Sequence, residues 1–139
     1  MDTDVIKAKL VSLQRCMQRI RQKTPSSAQQ LAADFDLQDI LILNLQRAVQ
    51  ISTDIATTIL ADTASVPSTM AEAFLLLHRQ GVLSAGVARK LAKSVGLRNI
   101  AVHEYTSLDW NVVYAVAHTH IEDFADFGRE ISAWVTAQA

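Results

Sequence analysis

Only one cysteine, two prolines and four glycines occur in the 139 residues. The single Cys16 leaves no intramolecular disulfide and suits a reducing compartment. A thiol nucleophile at Cys16 is possible in principle, but its place in a helical pattern reads as a small packed side chain. Scarce Gly and Pro exclude a turn-rich β fold and leave long helices with few breaks. Long hydrophobic runs are missing too: Ile40-Leu41-Ile42-Leu43 stops at Asn44, far short of a membrane span, so no membrane partner is expected. The acidic start, Met1-Asp2-Thr3-Asp4, has no basic, apolar secretory pattern, which points to a cytoplasmic protein. Also absent are Gly-rich phosphate loops, nucleophile elbows and zinc-ligand spacings, so neither a metal nor another cofactor is expected.

Half of the residues are hydrophobic, enough for residues 1–139 to form a single domain with a real core. The apolar positions recur at helical spacing. Ile6, Leu10, Leu13, Met17 and Ile20 predict a first helix over about Asp4 to Lys23. Thr24-Pro25-Ser26-Ser27 ends it, and a short helix over about Ser27 to Phe35 leads into a long one from about Leu37 to Ala61. The latter carries a stripe of Leu41, Leu45, Ala48, Ile51, Ile55 and Ile59. After a loop at 62–67, Thr69 with Glu72 forms a capping-box pattern before a helix that buries Met70, Phe74 and Leu77. Gly81 and Ser84 separate it from a helical segment over Ser84 to about Tyr105, which Gly96 weakens. Ser107 or Asp109 caps a last helix to about Thr136, with Val113, Ala117, Ile121, Phe124 and Ile131 inward. The expected fold is all-α, a mainly antiparallel helical bundle of about five to six helices.

Net charge is −1, which argues against a general nucleic-acid binder, but the charges are segregated. Lys7, Lys9, Arg15, Arg19, Arg21 and Lys23 make the first helix basic. Arg79, Arg89, Lys90, Lys93 and Arg98 form a second basic tract, with no acid between Glu72 and Glu104. Such a tract can guide an RNA backbone. It can equally be the solvated face of an amphipathic helix, a reading that fits the first helix at least as well.

Chemistry concentrates in Arg98-Asn99-Ile100-Ala101-Val102-His103-Glu104-Tyr105. Arginine supplies a planar fork of donors for phosphate, and histidine moves protons near neutrality. Taken singly, Arg98 paired with Glu104 and a core His103 would be ordinary structure. On an ideal helix, residues five apart stand about 140° from each other, so Arg98 and His103 do not share a face. Either Gly96 lets the helix distort, or the two meet across a symmetric interface. His118 and His120, two apart on a helix, and the lone His78 read as structural or solvated, and Trp110 and Trp134 as core or interface residues.

The Arg98–Tyr105 stretch, its flanks Gly96-Leu97 and Ser107-Leu108-Asp109-Trp110, and the helical stretches Leu45-Gln46-Arg47-Ala48-Val49-Gln50-Ile51 and Asp54-Ile55-Ala56 resemble HepT toxins of the HEPN ribonuclease superfamily. The resemblance covers most of the chain. It implies a HEPN-like homodimer whose cleft takes Arg98 and His103 from both subunits, and an RNA substrate cut without a metal. One His103 would draw the proton from a ribose 2′-OH, Arg98 would stabilise the phosphorane, and the second His103 would protonate the leaving oxygen. Asn99 would orient His103 or bind phosphate, or simply serve as a helix-end hydrogen-bonder. The resemblance further implies a cognate MntA-like nucleotidyltransferase antitoxin that AMPylates Tyr105, whose plain alternative is an amphipathic packing role. The rival reading of the whole is a non-catalytic HEPN-like dimer that binds a nucleotide or serves as the partner's scaffold.

Overall fold

In the computed structural model, which describes residues 2–138, seven α-helical segments follow one another and no strand occurs among the described residues. They are α1 (Thr3–Lys23), α2 (Ala28–Ala32), α3 (Phe35–Leu60), α4 (Met70–Arg79), α5 (Ala85–His103), α6 (Trp110–Ala115) and α7 (Ile121–Ala137). A single 3-10 turn, Tyr105–Ser107, follows α5, and a π turn, Val116–His120, joins α6 to α7 without a break. The all-α expectation holds, and with α6, the π turn and α7 counted as one rod the helices number six.

The ends of these helices are written in short polar residues. Asp2, Ser27, Asp34, Thr69, Ser84 and Asp109 each accept a backbone N–H in the first turn that follows, satisfying donors the helix cannot. Of the two candidates for the last cap, Asp109 is used. At α4 the capping box is half realised. Thr69 Oγ1 accepts from Glu72 N at 3.1 Å, while the Glu72 carboxylate reaches one residue further back, to Ser68 N at 3.2 Å. Asp34 caps α3 earlier than the apolar stripe suggested, so α2 is short and α3 begins at Phe35. Gly81 sits at φ +77° just after α4, where Val82 N bonds Leu77 O at 2.9 Å. That left-handed position costs a side chain but not glycine.

α3 runs through the middle. Its buried positions Leu41, Leu45, Ala48, Ser52, Ile55 and Ile59 alternate steps of four and three, one continuous stripe against the other helices. Lys9 reaches Asp54 at 3.6 Å, whereas Cys16 lies beside Arg47, so α1 and α3 run antiparallel. Phe74, Phe124 and Phe127 are fully buried, and the Phe74 and Phe127 rings meet edge to face with centroids 5.8 Å apart. Each such ring contributes about 2–3 kcal/mol by leaving water.

Two polar contacts, one local and one long-range, fix the starts of α3 and α5. Gln38, 5% exposed, donates through Nε2 to the carbonyls of Leu31 and Ala32, at 2.9 and 3.2 Å. It thereby closes the C-terminus of α2 and locks the start of α3. At the other end, the Glu130 carboxylate of α7 accepts from Ser84 N at 2.7 Å and Ser84 Oγ at 2.9 Å, which anchors the beginning of α5. No helix among the described residues is long and apolar enough to cross a membrane.

Candidate active site

α5 is regular from Ala85 to His103, straight through Gly96. The helical distortion that could have turned Arg98 and His103 to one side is therefore not present, and the two side chains leave one helix in different directions. Within one chain α5 does not bring the two together. Arg98 is half-buried and makes no ion pair among the described residues; its Nη1 donates to Asn99 Oδ1 at 3.2 Å. Asn99 is exposed, so it steadies the guanidinium while its amide stays open to solvent. His103 is exposed in the last turn of α5. Neither the Glu104 pairing nor the core histidine of the ordinary reading occurs.

The chain then turns sharply. Glu104, at φ −141° and ψ 52°, leaves helical geometry, and its N–H closes α5 on Ile100 O at 2.8 Å. The 3-10 turn is held by Ser107 N on Glu104 O at 2.8 Å and by burial of Leu108. Tyr105, expected at the end of the helix, stands beyond it on this turn. Its ring meets Trp110 edge to face at 6.0 Å, and its hydroxyl donates to Asp39 Oδ1 at 3.2 Å. Burial raises its pKa, and the hydrogen bond and charge of Asp39 raise it further. The residue is nevertheless 40% exposed, and a second protein can reach it.

Beside Arg98 lies an open groove of about 410 Å³ between α3, α5 and the α6–α7 rod. Leu45, Val49, Leu97, Ile100, Val112 and Val116 make it apolar, Lys90, Lys93 and Arg98 supply positive charge, and His120 and Asp123 also line it. His120, read from the sequence as structural or solvated, thus shares a groove with Arg98, 3.7 Å from Asp123, to which Lys90 also turns at 3.9 Å. Val112, Val116 and His120 recur at steps of four, so one face of the rod brings all three to the groove, where His120 stays exposed as a solvated histidine does. His118 stacks on Tyr114, and His78 Nδ1 lies 2.9 Å from Leu83 O, both structural roles. Cys16 is buried, with its thiol pushed up by burial and pulled down by Arg47 and Arg15.

Taken together, an all-helical bundle with a half-buried Arg98 and exposed Asn99, His103 and Tyr105 around the end of one helix has the layout of a HEPN protein, and solved structures agree. The tri-AMPylated Shewanella oneidensis HEPN toxin, in complex with MNT antitoxin, superposes with a TM-score of 0.87 at 38% identity, over 96% of this chain and 99% of that one. The profile of the Ribonuclease HepT-like family matches residues 13–131, and the chain belongs to that family. It is 38% identical to the mRNA nuclease HepT of Shewanella oneidensis, over 94% of this chain and 98% of the relative. It is 29% identical to the tRNA nuclease HepT of Aphanizomenon flos-aquae, over 94% of this chain and 90% of the relative.

Proposed function

We propose that this chain is the endoribonuclease toxin of a toxin–antitoxin pair, a single HEPN-like domain acting in the cytoplasm as a homodimer on RNA. Its partner is a MntA-like nucleotidyltransferase antitoxin that silences it by AMPylating Tyr105. The observation that carries the reading is the unpaired, accessible Arg98 and His103 on one regular helix, in a chain of the HepT-like family. A lone helix keeps the two apart, whereas a two-fold axis beside α5 lets the Arg98 of one protomer face the His103 of the other.

In that cleft one His103 takes the proton of a ribose 2′-OH, and the oxygen attacks the adjacent phosphorus. Arg98 bridges two non-bridging oxygens as the phosphorane gains charge. The second His103 gives a proton to the departing 5′-oxygen, leaving a 2′,3′-cyclic phosphate and a 5′-hydroxyl. Asn99, bonded to Arg98, holds the guanidinium in place. No step draws on a metal.

An adenylate on Tyr105 places a negative phosphodiester and a bulky nucleoside two residues from His103. It opposes the RNA backbone by charge and by volume. The relative whose solved structure carries three AMP groups beside its MNT antitoxin supports this control.

The test is cleavage of a mixed RNA in EDTA. Wild type should cut and leave cyclic phosphate ends, and His103→Ala and Arg98→Ala should each lose about 10²–10⁴-fold while melting as wild type does. Dependence on added Mg²⁺, 3′-hydroxyl products or full activity in either variant would overturn the mechanism.

A further inference from the structure

A second groove, of about 510 Å³, runs along the seam between α1 and α3, on residues that the proposed chemistry does not use. Its sides are Arg15, Cys16 and Arg19 of α1 and Leu43, Asn44 and Arg47 of α3. On each helix the first and last of these residues are four apart and the middle one follows the first directly, so each helix contributes one stripe, and the stripes face each other. Three guanidiniums therefore border one groove that no carboxylate lines.

Elsewhere on α1, Lys9 is paired with Asp54 and Arg21 with Glu122. The acids of α3 near the groove are engaged: Asp54 also takes Gln50, and Asp39 takes the Tyr105 hydroxyl. Arg15, Arg19 and Arg47 have no acidic partner among the described residues. Lys7 and Lys23 of α1 also lack an acidic partner among the described residues, but neither lines this groove. Arg47 and Arg15 are close enough to act together on the Cys16 thiol. Three like charges around one opening repel one another, and Arg15 and Arg19 do so along the helix at i and i+4. An anion with several phosphates relieves that repulsion, and guanidinium forks match phosphate oxygens.

The position of the groove says which polyanion. The Asp39–Tyr105 contact lies in the second turn of α3, and the groove starts one residue later, at Ile40. Because α1 and α3 are antiparallel, Arg19 lies toward that end and the Arg15–Arg47 pair further along. A strand leaving the rim at Tyr105 would meet the three cations in turn. Leu43, 45% exposed, adds an apolar surface for a base rather than an edge that reads one.

We propose that the α1–α3 groove is a second RNA site, which holds the phosphodiester backbone of single-stranded substrate outside the catalytic cleft through Arg15, Arg19 and Arg47, without regard to sequence. The proposal rests on the ribonuclease reading for the nature of its ligand. It gives the basic first helix a use that amphipathicity alone does not.

The probe is a fluorescent 2′-O-methyl RNA 20-mer, which lacks the attacking hydroxyl, titrated with the full-length protein by anisotropy across a range of KCl. Each phosphate contact on a single strand adds about 0.7 to the slope of log K against log salt. The triple variant R15Q/R19Q/R47Q should bind at least ten-fold more weakly at 0.1 M salt, with a slope lower by about 2. A charge-matched control, K7Q/R79Q/R89Q, alters exposed cations outside both grooves. It should lose less than a third as much slope. R15K/R19K/R47K keeps the charges and should keep most of the slope, which guards against misreading a folding defect. Equal loss in both glutamine variants, or an unchanged slope in the first, overturns the groove as an RNA site. Loss of nucleotidyltransferase binding with RNA binding intact overturns it as well and assigns the arginines to the antitoxin. A wild type that binds the 20-mer but never cuts its all-ribose counterpart sinks the ribonuclease reading and leaves the groove standing.

Discussion

Tyr105 holds its proton against Asp39, a residue 66 positions earlier in the chain. Burial, the hydrogen bond and the carboxylate charge all disfavour the phenolate. The folded chain thus binds this proton more tightly than the unfolded one. The associated stability is complete below the ordinary tyrosine range and fades as pH climbs through and beyond it. Asp39→Asn removes the charge, so the Tyr105 ionisation, followed at 295 nm as the difference from Tyr105→Phe, should move to lower pH. An unmoved titration would mean that the contact does not form in solution. The same Tyr105→Phe chain keeps its ring against Trp110 and loses only the hydroxyl. It should fold, dimerise and cut RNA, yet escape silencing by the nucleotidyltransferase and ATP. In the co-expressed wild-type pair, the added AMP mass should appear on the peptide that holds Tyr105. A wild-type toxin silenced without that mass, or a silenced Tyr105→Phe chain, would place control in binding alone.

At the scale of elements, α5 carries Gly96 in its interior, exposed, at ordinary helical dihedrals and with nothing within 4 Å of an added Cβ. Gly96→Ala should therefore stabilise the chain by about 0.5–1 kcal/mol and raise the melting temperature by about 2–4 °C. A lower melting temperature would show that the glycine admits something the single chain lacks. What could be read in the residues and what could not divides cleanly here. Local signals sufficed for the helices: the stripe of α3, the Ser84 and Asp109 caps and the turn at Gly81 all rest on neighbours within a few positions. The Arg98–Tyr105 stretch was legible because its chemistry is contiguous. The Asp39 contact, the unpaired state of Arg15, Arg19 and Arg47, and the presence of His120 in the groove depend on residues brought together by packing. His120 is exposed, as the solvated reading has it, and only its neighbours in the groove, Arg98 and Lys90 of α5, come from packing.

For the whole molecule, the groove beside Arg98 is apolar and open, flanked by Ile100 at 37% and Val112 at 48% exposure. Exposed aliphatic side chains next to the proposed Arg98–His103 pair point to the face that a second copy covers. Val112→Glu sets a charge on that face without entering the core. Sedimentation at micromolar concentration should show wild type as a dimer and Val112→Glu shifted to monomer, with RNA cleavage lost and the melting curve of the single chain retained. A fully active monomer would refute the shared cleft.

The π turn has a consequence for descent. It holds one residue more than an α-helix needs over the same span, so a chain without that residue is one deletion away. Phe124, Phe127 and Ile131 pin α7 in the core, so loss of that residue would turn α6 instead, by about 100°. Val112 would swing out of the groove while α6 and α7 kept their lengths. Two such chains, aligned with a single gap, would look interchangeable on paper and yet would not recognise each other as halves of one enzyme.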